Sequence, residues 1–172
     1  MRRLNPTLVY IIIEGAFSIF INIIFTVNLV NQVQRIGLNP LQLVLTGTVL
    51  ELAALIAEIP TGVVADVYGR RRSVVISFFV VGLGFIIEGF ALDFAVLLLA
   101  QVVWGVGWTF HSGALEAWLV DEVGQGESNS VFARASQIGG VCNVVGTLIG
   151  IGLAAVLAVN IPIIIGGALT VG

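Results

Sequence analysis

The sequence of 172 residues contains no lysine, one cysteine and one histidine, and only 10% of its residues are charged. A soluble domain carries about 25% charged residues, so this chain has too few charges to cover a water-facing surface. The single cysteine, Cys142, excludes an internal disulfide and a thiolate metal cluster, and we interpret it as a packing residue. The net charge of -3 is spread thinly and gives no basic face for nucleic acid.

Long apolar runs take the place of the missing charges. Hydrophobic residues make up 58% of the chain, and the mean hydropathy is +1.11. A membrane-spanning helix needs about 20 mostly apolar residues. Polar clusters divide the chain into six candidate spans at 8–30, 41–64, 74–92, 94–120, 131–159 and 161–172. The uncharged run from Phe94 to Leu115 lacks the polar-apolar alternation of barrel strands, so we predict an all-α membrane protein.

The sixth candidate span reaches Gly172 with no signal that would end a helix. We therefore expect the sequence to stop inside this span, as a truncated chain or a fragment would.

The arginines predict the orientation in the bilayer. The N-terminal tail and the even-numbered loops hold six of them, whereas the odd-numbered loops hold only Arg35. The six are Arg2, Arg3, Arg70, Arg71, Arg72 and Arg134. The positive-inside rule places such loops in the cytoplasm, which predicts a multi-pass protein of the cell membrane with a cytoplasmic N-terminus.

The connection between the second and third spans carries the sharpest local signal. Residues 62–72 read Gly-Val-Val-Ala-Asp-Val-Tyr-Gly-Arg-Arg-Arg. Gly62 would let two helices approach closely, and Gly69 permits the positive φ of a tight turn. Asp66 can accept backbone N–H bonds or face a helix N-terminus, and the arginines can pair with acids or lipid phosphates.

This connection resembles the signature loop of the major facilitator superfamily, Gly-x-Leu-Ala-Asp-x-x-Gly-Arg-Arg/Lys. The matching residues are Gly62, Ala65, Asp66, Gly69, Arg70 and Arg71, and Val64 replaces the leucine. The resemblance implies the N-terminal half-bundle of a twelve-helix transporter, whose missing C-terminal half would be a partner. It also implies that the loop latches the two halves together. We predict that Arg70 or Arg71 pairs with Asp121 or Glu122, which follow the fourth span on the same side.

Two further signatures match less well. Gln101 stands where many proton-coupled members of the superfamily carry arginine, although Gly105 and Gly107 of that motif are present. The fifth span is rich in glycine but lacks the Gly-Pro pair of drug exporters. The segment from Ser112 to Asp121 is similar to exporter-like members, so export by antiport is the expected direction.

Polar residues inside the apolar runs are the candidates for proton coupling or the substrate cavity, because a charged side chain in hydrocarbon costs about 2.5–3.5 kcal/mol on insertion scales. Glu14 is the first choice for a coupling acid and Glu51 the second; hydrogen bonding to a neighbouring helix is the alternative for both. The full set is Glu14, Asn22, Glu51, Glu58, Gln101, Thr109 and Glu116. Glu14 and Glu58 are expected at one depth, and Glu88 at the membrane interface.

The predicted function is secondary active transport of a small solute by alternating access, driven by protons and directed outward. The alternative is a non-transporting membrane scaffold or regulatory half-transporter. An enzyme is not expected, because the sequence holds no metal motif, nucleophile elbow or phosphate loop. We expect no cofactor and no metal; His111 is a lone histidine without partner ligands.

Overall fold

The computed structural model describes residues 5–172, and within that range all regular elements are helices. They are α1 (Pro6–Val30), α2 (Pro40–Tyr68), α3 (Arg70–Phe90), α4 (Phe94–His111), α5 (Ala114–Val123), α6 (Gln125–Val156) and α7 (Ile161–Val171), with a π-helical turn over Asn31–Arg35 that continues α1. Arg2 and Arg3, which contribute to the predicted orientation, lie outside the described residues.

Five helical stretches are long and apolar enough to cross a membrane. They cover Pro6–Arg35, Pro40–Tyr68, Arg70–Phe90, Phe94–Val123 and Gln125–Val156, whereas α7 has 11 residues. The predicted all-α membrane fold is confirmed. We call the end of the bundle at Arg70–Arg72 the arginine end and the opposite end the far end.

Helix starts follow the polar breakers in the sequence. Asn39 caps α2 and forms a reciprocal pair of hydrogen bonds with Gln42, of 2.9 Å and 3.0 Å, so two backbone N–H groups are satisfied. Asp93 caps α4 by accepting from the Val96 N–H at 3.0 Å. These caps set where α2 and α4 enter the bundle at the far end.

Three segments differ from the sequence expectation. The predicted fourth span is two helices, because Gly113 adopts a φ of +78° that ends the α4 register. The predicted polar turn after the first span begins with the π-helical turn. Residues 125–130 form the first turns of α6 instead of a polar connection, and the chain turns just before them at Gly124, with φ +82°.

The helices meet at backbone distance. α1 lies along α6, and α3 lies between α4 and α7. A Cβ atom at Gly146 would stand 2.5 Å from the Ile19 carbonyl oxygen, and one at Gly107 would stand 2.6 Å from the Val81 nitrogen. Helix α2 packs chiefly on α4 and buries only Thr46, Ala57, Thr61 and Ala65. Most of its surface is therefore free of the rest of the bundle.

Candidate functional site

The loop between α2 and α3 fixes an arginine against α5. Gly69 has a φ of +94°, which L side chains rarely adopt, and it connects the two helices directly. The Arg70 Nη1 donates to an Asp121 carboxylate oxygen and, at 2.6 Å, to the carbonyl oxygen of Ala117. The predicted pairing of this loop with the acids after the fourth span is therefore present as an Arg70–Asp121 ion pair.

Other residues of the signature loop lie differently from the sequence expectation. Gly62 does not bring two helices together, because a Cβ atom there would meet nothing within 4 Å. Asp66 does not cap α3, whose first turn has no side-chain cap. Arg71 and Glu122 are exposed and take part in neither ion pair found among residues 5–172. A glycine and an acid near a turn do not by themselves reveal which way they face.

A cavity of about 210 Å³ lies beside this loop, between α2 and the break that separates α4 from α5. It brings together five of the predicted site residues, which are Glu58, Gly62, Asp66, Arg70 and Thr109. Ser112 and Gly113 line it from the helix break. Two carboxylates and one guanidinium thus share a small polar space at the arginine end, where changes in one charge act on the others.

Glu14 approaches the single histidine. Its Oε1 lies 3.6 Å from the Nε2 of His111, which is longer than a hydrogen bond and within ion-pair distance. His111 is buried, and its Nδ1 has no hydrogen-bond partner among the described residues. Phe17 stacks on the imidazole with ring centroids 4.5 Å apart. The pair therefore lies in an apolar, aromatic environment, where the electrostatic interaction between the two side chains is stronger than in water.

The aromatic side of α4 serves mainly for packing. Trp104 is buried and stacks on Phe85 at 5.0 Å. Trp108 stacks on Phe17 at 5.8 Å and keeps 40% of its surface exposed. Of these two rings, Trp108 retains the larger free surface for a solute.

Asn22 joins α1 to α6 and does not face an open space alone. Its Nδ2 donates to the Asn143 Oδ1 at 2.7 Å and to the Ser18 carbonyl oxygen at 2.9 Å. Glu14 and Asn22 of α1 therefore face different neighbours, with Glu14 near α4 and Asn22 bound to α6.

Helix α2 exposes two carboxylates along one side. Glu51 and Glu58 are seven residues apart, which places them on the same face of a helix, and both are exposed. Glu51 lies on the exposed surface of α2 beside Gly47, Thr48, Leu52 and Leu55. We call the side of α2 that carries Gly47, Glu51, Glu58 and Gly62 the acidic face of α2. Glu116 is also exposed, on α5.

A buried polar network at the far end was missed by the sequence analysis, which placed Glu88 at the interface. Glu88 is wholly buried. Its Oε1 accepts from the Gln32 Nε2 at 2.9 Å, and its Oε2 accepts from the Gln101 Nε2 at 3.2 Å. Gln101 is thus a buried partner of Glu88 and does not line an open cavity. The amide-rich sequence around Gln32, with Asn28 four residues earlier, is the signal that could have indicated it.

Part of this chain is similar in sequence to a known protein. No family model matches the chain. The chain is 35% identical over 98 residues to the uncharacterized MFS-type transporter YxaM of Bacillus subtilis (strain 168). The match covers 57% of this chain and 25% of the relative, so it spans about a quarter of that protein. The similarity supports a membrane location and the resemblance to the major facilitator superfamily.

Proposed function

We propose that the chain forms the N-terminal half-bundle of a major-facilitator-type transporter that exports a small solute by alternating access in exchange for protons. The second half-bundle would close the substrate path against the acidic face of α2. The arginine end would lie in the cytoplasm, as the positive-inside rule predicts, and the Arg70–Asp121 pair with Asp66 would form the latch of the signature loop.

The observation that carries this proposal is the acidic face of α2. Glu51 is the twelfth residue of a 29-residue spanning helix, so it lies about 17 Å from the helix start at 1.5 Å per residue. An ionisable side chain at that depth costs about 2.5–3.5 kcal/mol in contact with lipid. Within the described residues, neither Glu51 nor Glu58 has an ion-pair partner. This face therefore requires water or another protein segment, as a transport path supplies.

Proton coupling is assigned to Glu14. Its neighbour is the single histidine, His111, and the two side chains lie within ion-pair distance. A proton bound at this pair removes or creates a charge between α1 and α4. Such a change can bias a bundle between two arrangements because buried charge interactions are worth several kcal/mol at low dielectric.

The water-filled path is tested by cysteine accessibility in the full-length protein, with Cys142→Ser as background. Glu51→Cys should react with a membrane-impermeant maleimide, and Glu58→Cys should react similarly. Ile56→Cys is the matched control, because Ile56 is 74% exposed and lies about 140° around the helix from Glu51 at 3.6 residues per turn. Equal reaction at positions 51 and 56, or none at 51, would refute an aqueous path on the acidic face.

Coupling is tested by solute flux into proteoliposomes. A panel of solutes is first screened for accumulation driven by an imposed pH gradient, and the best solute is used to compare the wild type with Glu14→Gln. We expect the variant to lose gradient-driven accumulation and to retain exchange of solute against solute. Unchanged accumulation would remove Glu14 as the coupling acid, and absence of any flux in the wild type would favour the non-transporting scaffold.

A further inference from the structure

Glu88 is the most deeply buried ionisable side chain of the described chain. It is 0% exposed and lies two residues before the end of α3 at Phe90. Each carboxylate oxygen accepts one amide N–H, from Gln32 after α1 and from Gln101 on α4. The side chain therefore joins three helices at the far end of the bundle.

Among residues 5–172, no cationic side chain forms an ion pair with this carboxylate. The ion pairs among residues 5–172 are Arg70–Asp121 and His111–Glu14, and Glu88 takes part in neither. Arg35 is the basic residue at this end, and its guanidinium donates to the carbonyl oxygens of Gly89 at 3.2 Å and Ala91 at 3.1 Å. A buried charge without a counterion costs free energy. Reversible binding of a small cation would neutralise this carboxylate and remove that cost.

The other elements that pack on α3 bring no counterion. Helix α7 has no titratable side chain, and α4 has only His111, ten residues along from Gln101. The titratable groups of α2 and α5 are exposed carboxylates and one exposed tyrosine hydroxyl at the end of α2. They are Glu51, Glu58, Asp66 and Tyr68 on α2 and Glu116, Asp121 and Glu122 on α5.

The two amide partners of Glu88, Gln101 and Gln32, differ in whether their amide groups can rotate. The Trp104 Nε1–H, which can only donate, donates to the Gln101 Oε1 at 3.0 Å. This contact holds the Gln101 amide with its N–H₂ group toward Glu88. The orientation of the Gln32 amide is not fixed in this way. Its Nε2 donates to the Asn28 Oδ1 at 2.9 Å. An asparagine amide can both accept and donate, so Asn28 can also rotate and donate to a Gln32 oxygen.

We propose that Glu88 is a proton-binding residue that takes up a proton at Oε1, and that the Gln32 amide changes its orientation when this proton binds. In the unprotonated state Oε1 accepts from the Gln32 Nε2. When a proton from the solvent forms an O–H bond at Oε1, the Gln32 amide rotates so that its oxygen accepts that O–H, and the Asn28 amide turns to donate to the same oxygen. Release of the proton to solvent reverses both rotations.

The donor set selects a proton over a metal ion. A hard metal cation needs about six oxygen ligands, whereas both Glu88 oxygens already face N–H groups and the Gln101 oxygen is engaged by Trp104. The described residues hold no cluster of three or more metal-ligating side chains. Asn31, which precedes Gln32 in the sequence, is fully buried, and neither of its amide atoms has a partner among the described residues.

This site is separate from the coupling acid Glu14 and does not require that the protein transports anything. It can therefore be tested without a substrate, by pH-difference infrared spectroscopy on the full-length protein in lipid nanodiscs. The titration covers about pH 5 to 9, the interval in which tuned acids and bases exchange protons in proteins. We expect a carbonyl stretch of a protonated carboxyl group that is lost in Glu88→Gln and retained in Glu127→Gln, an exposed control on α6.

A second variant guards against a general folding defect of Glu88→Gln. Gln32→Leu keeps Glu88 but removes both the N–H that donates to the carboxylate and the amide oxygen that would accept the O–H of the protonated form. Because a hydrogen bond to a charged group is stronger than one between neutral groups, the unprotonated form loses more, and Glu88 should bind its proton more tightly by at most about tenfold. The Glu88 band should then titrate at higher pH. A band that is unchanged in both variants would overturn the proposal. A band that responds to added sodium ions at constant pH would also overturn it, in favour of a metal cation site.

Discussion

The close contact between α1 and α6 predicts that adding one methyl group at Gly146 lowers the free energy of unfolding. A Cβ atom at Gly146 would lie 2.5 Å from the Ile19 carbonyl oxygen and 2.9 Å from the Asn22 Cβ, and real Cβ atoms do not approach backbone so closely. Gly146→Ala must therefore push the helices apart. Overpacking of this kind costs about 1–3 kcal/mol, and the separation also stretches the nearby Asn22–Asn143 hydrogen bond of 2.7 Å.

Gly140, on the same helix, is the matched control. A Cβ atom there meets nothing within 4 Å, so Gly140→Ala gains about 0.5–1 kcal/mol from lower backbone entropy of the unfolded chain. Because this entropic gain is common to both substitutions, the two variants should differ in the free energy of unfolding by the overpacking cost, about 1–3 kcal/mol.

The assay is reversible unfolding in mixed micelles of a mild detergent and dodecyl sulfate, followed by tryptophan fluorescence. Gly146→Ala should unfold at a lower fraction of dodecyl sulfate than the wild type, and Gly140→Ala at an equal or higher fraction. Equal stability of the two variants would refute the inference that α1 and α6 touch through their backbones at this point.

Three further perturbations follow from named contacts, each measured in the same unfolding assay. A double-mutant cycle of Arg70→Ala and Asp121→Ala should give a coupling of about 0.5 kcal/mol, because the pair is partly exposed; zero coupling would remove the pair as a stabilising contact. Gln101→Leu should lower stability by about 2 kcal/mol, because it leaves two buried polar partners unpaired, and an unaltered stability would contradict the network. Gly113→Ala should cost about 1 kcal/mol at its φ of +78°, whereas Gly126→Ala, with an ordinary φ and open space around it, should not.

Local signals in the sequence predicted what depends on local structure. The polar clusters that divide the predicted spans lie where helices begin, and the structure shows two of their residues, Asn39 and Asp93, as the N-caps of α2 and α4. Gly69 was assigned a positive φ and has one. The sequence also predicted that Arg70 or Arg71 pairs with Asp121 or Glu122, since topology brings the ends of the second and fourth spans to one side, and the pair present is Arg70–Asp121.

The side-chain contacts between helices could not be predicted, because they depend on how each helix is rotated and on which helices are neighbours. Gln32 and Glu88 are 56 residues apart, and no periodicity of either helix says that they meet. The interface position expected for Glu88 assumed that a charge near a helix end turns toward water; two amides on other helices make burial possible instead. Gly62 was expected at a close contact and faces open space, because helical phase is set by the whole packing arrangement.

The distribution of these close contacts determines which parts of the bundle can move. Glycines let α1 touch α6 and let α3 touch α4 at backbone distance, so neither pair can slide without first separating. Helix α2 is fixed to α4 where a Cβ atom at Gly105 would lie 3.2 Å from the Leu50 carbonyl oxygen. These contacts hold α1 to α6, α3 to α4 and α2 to α4. In the proposed transporter, the second half-bundle would move against the acidic face of α2. This is the face on which Glu51 and Glu58 need a partner or water.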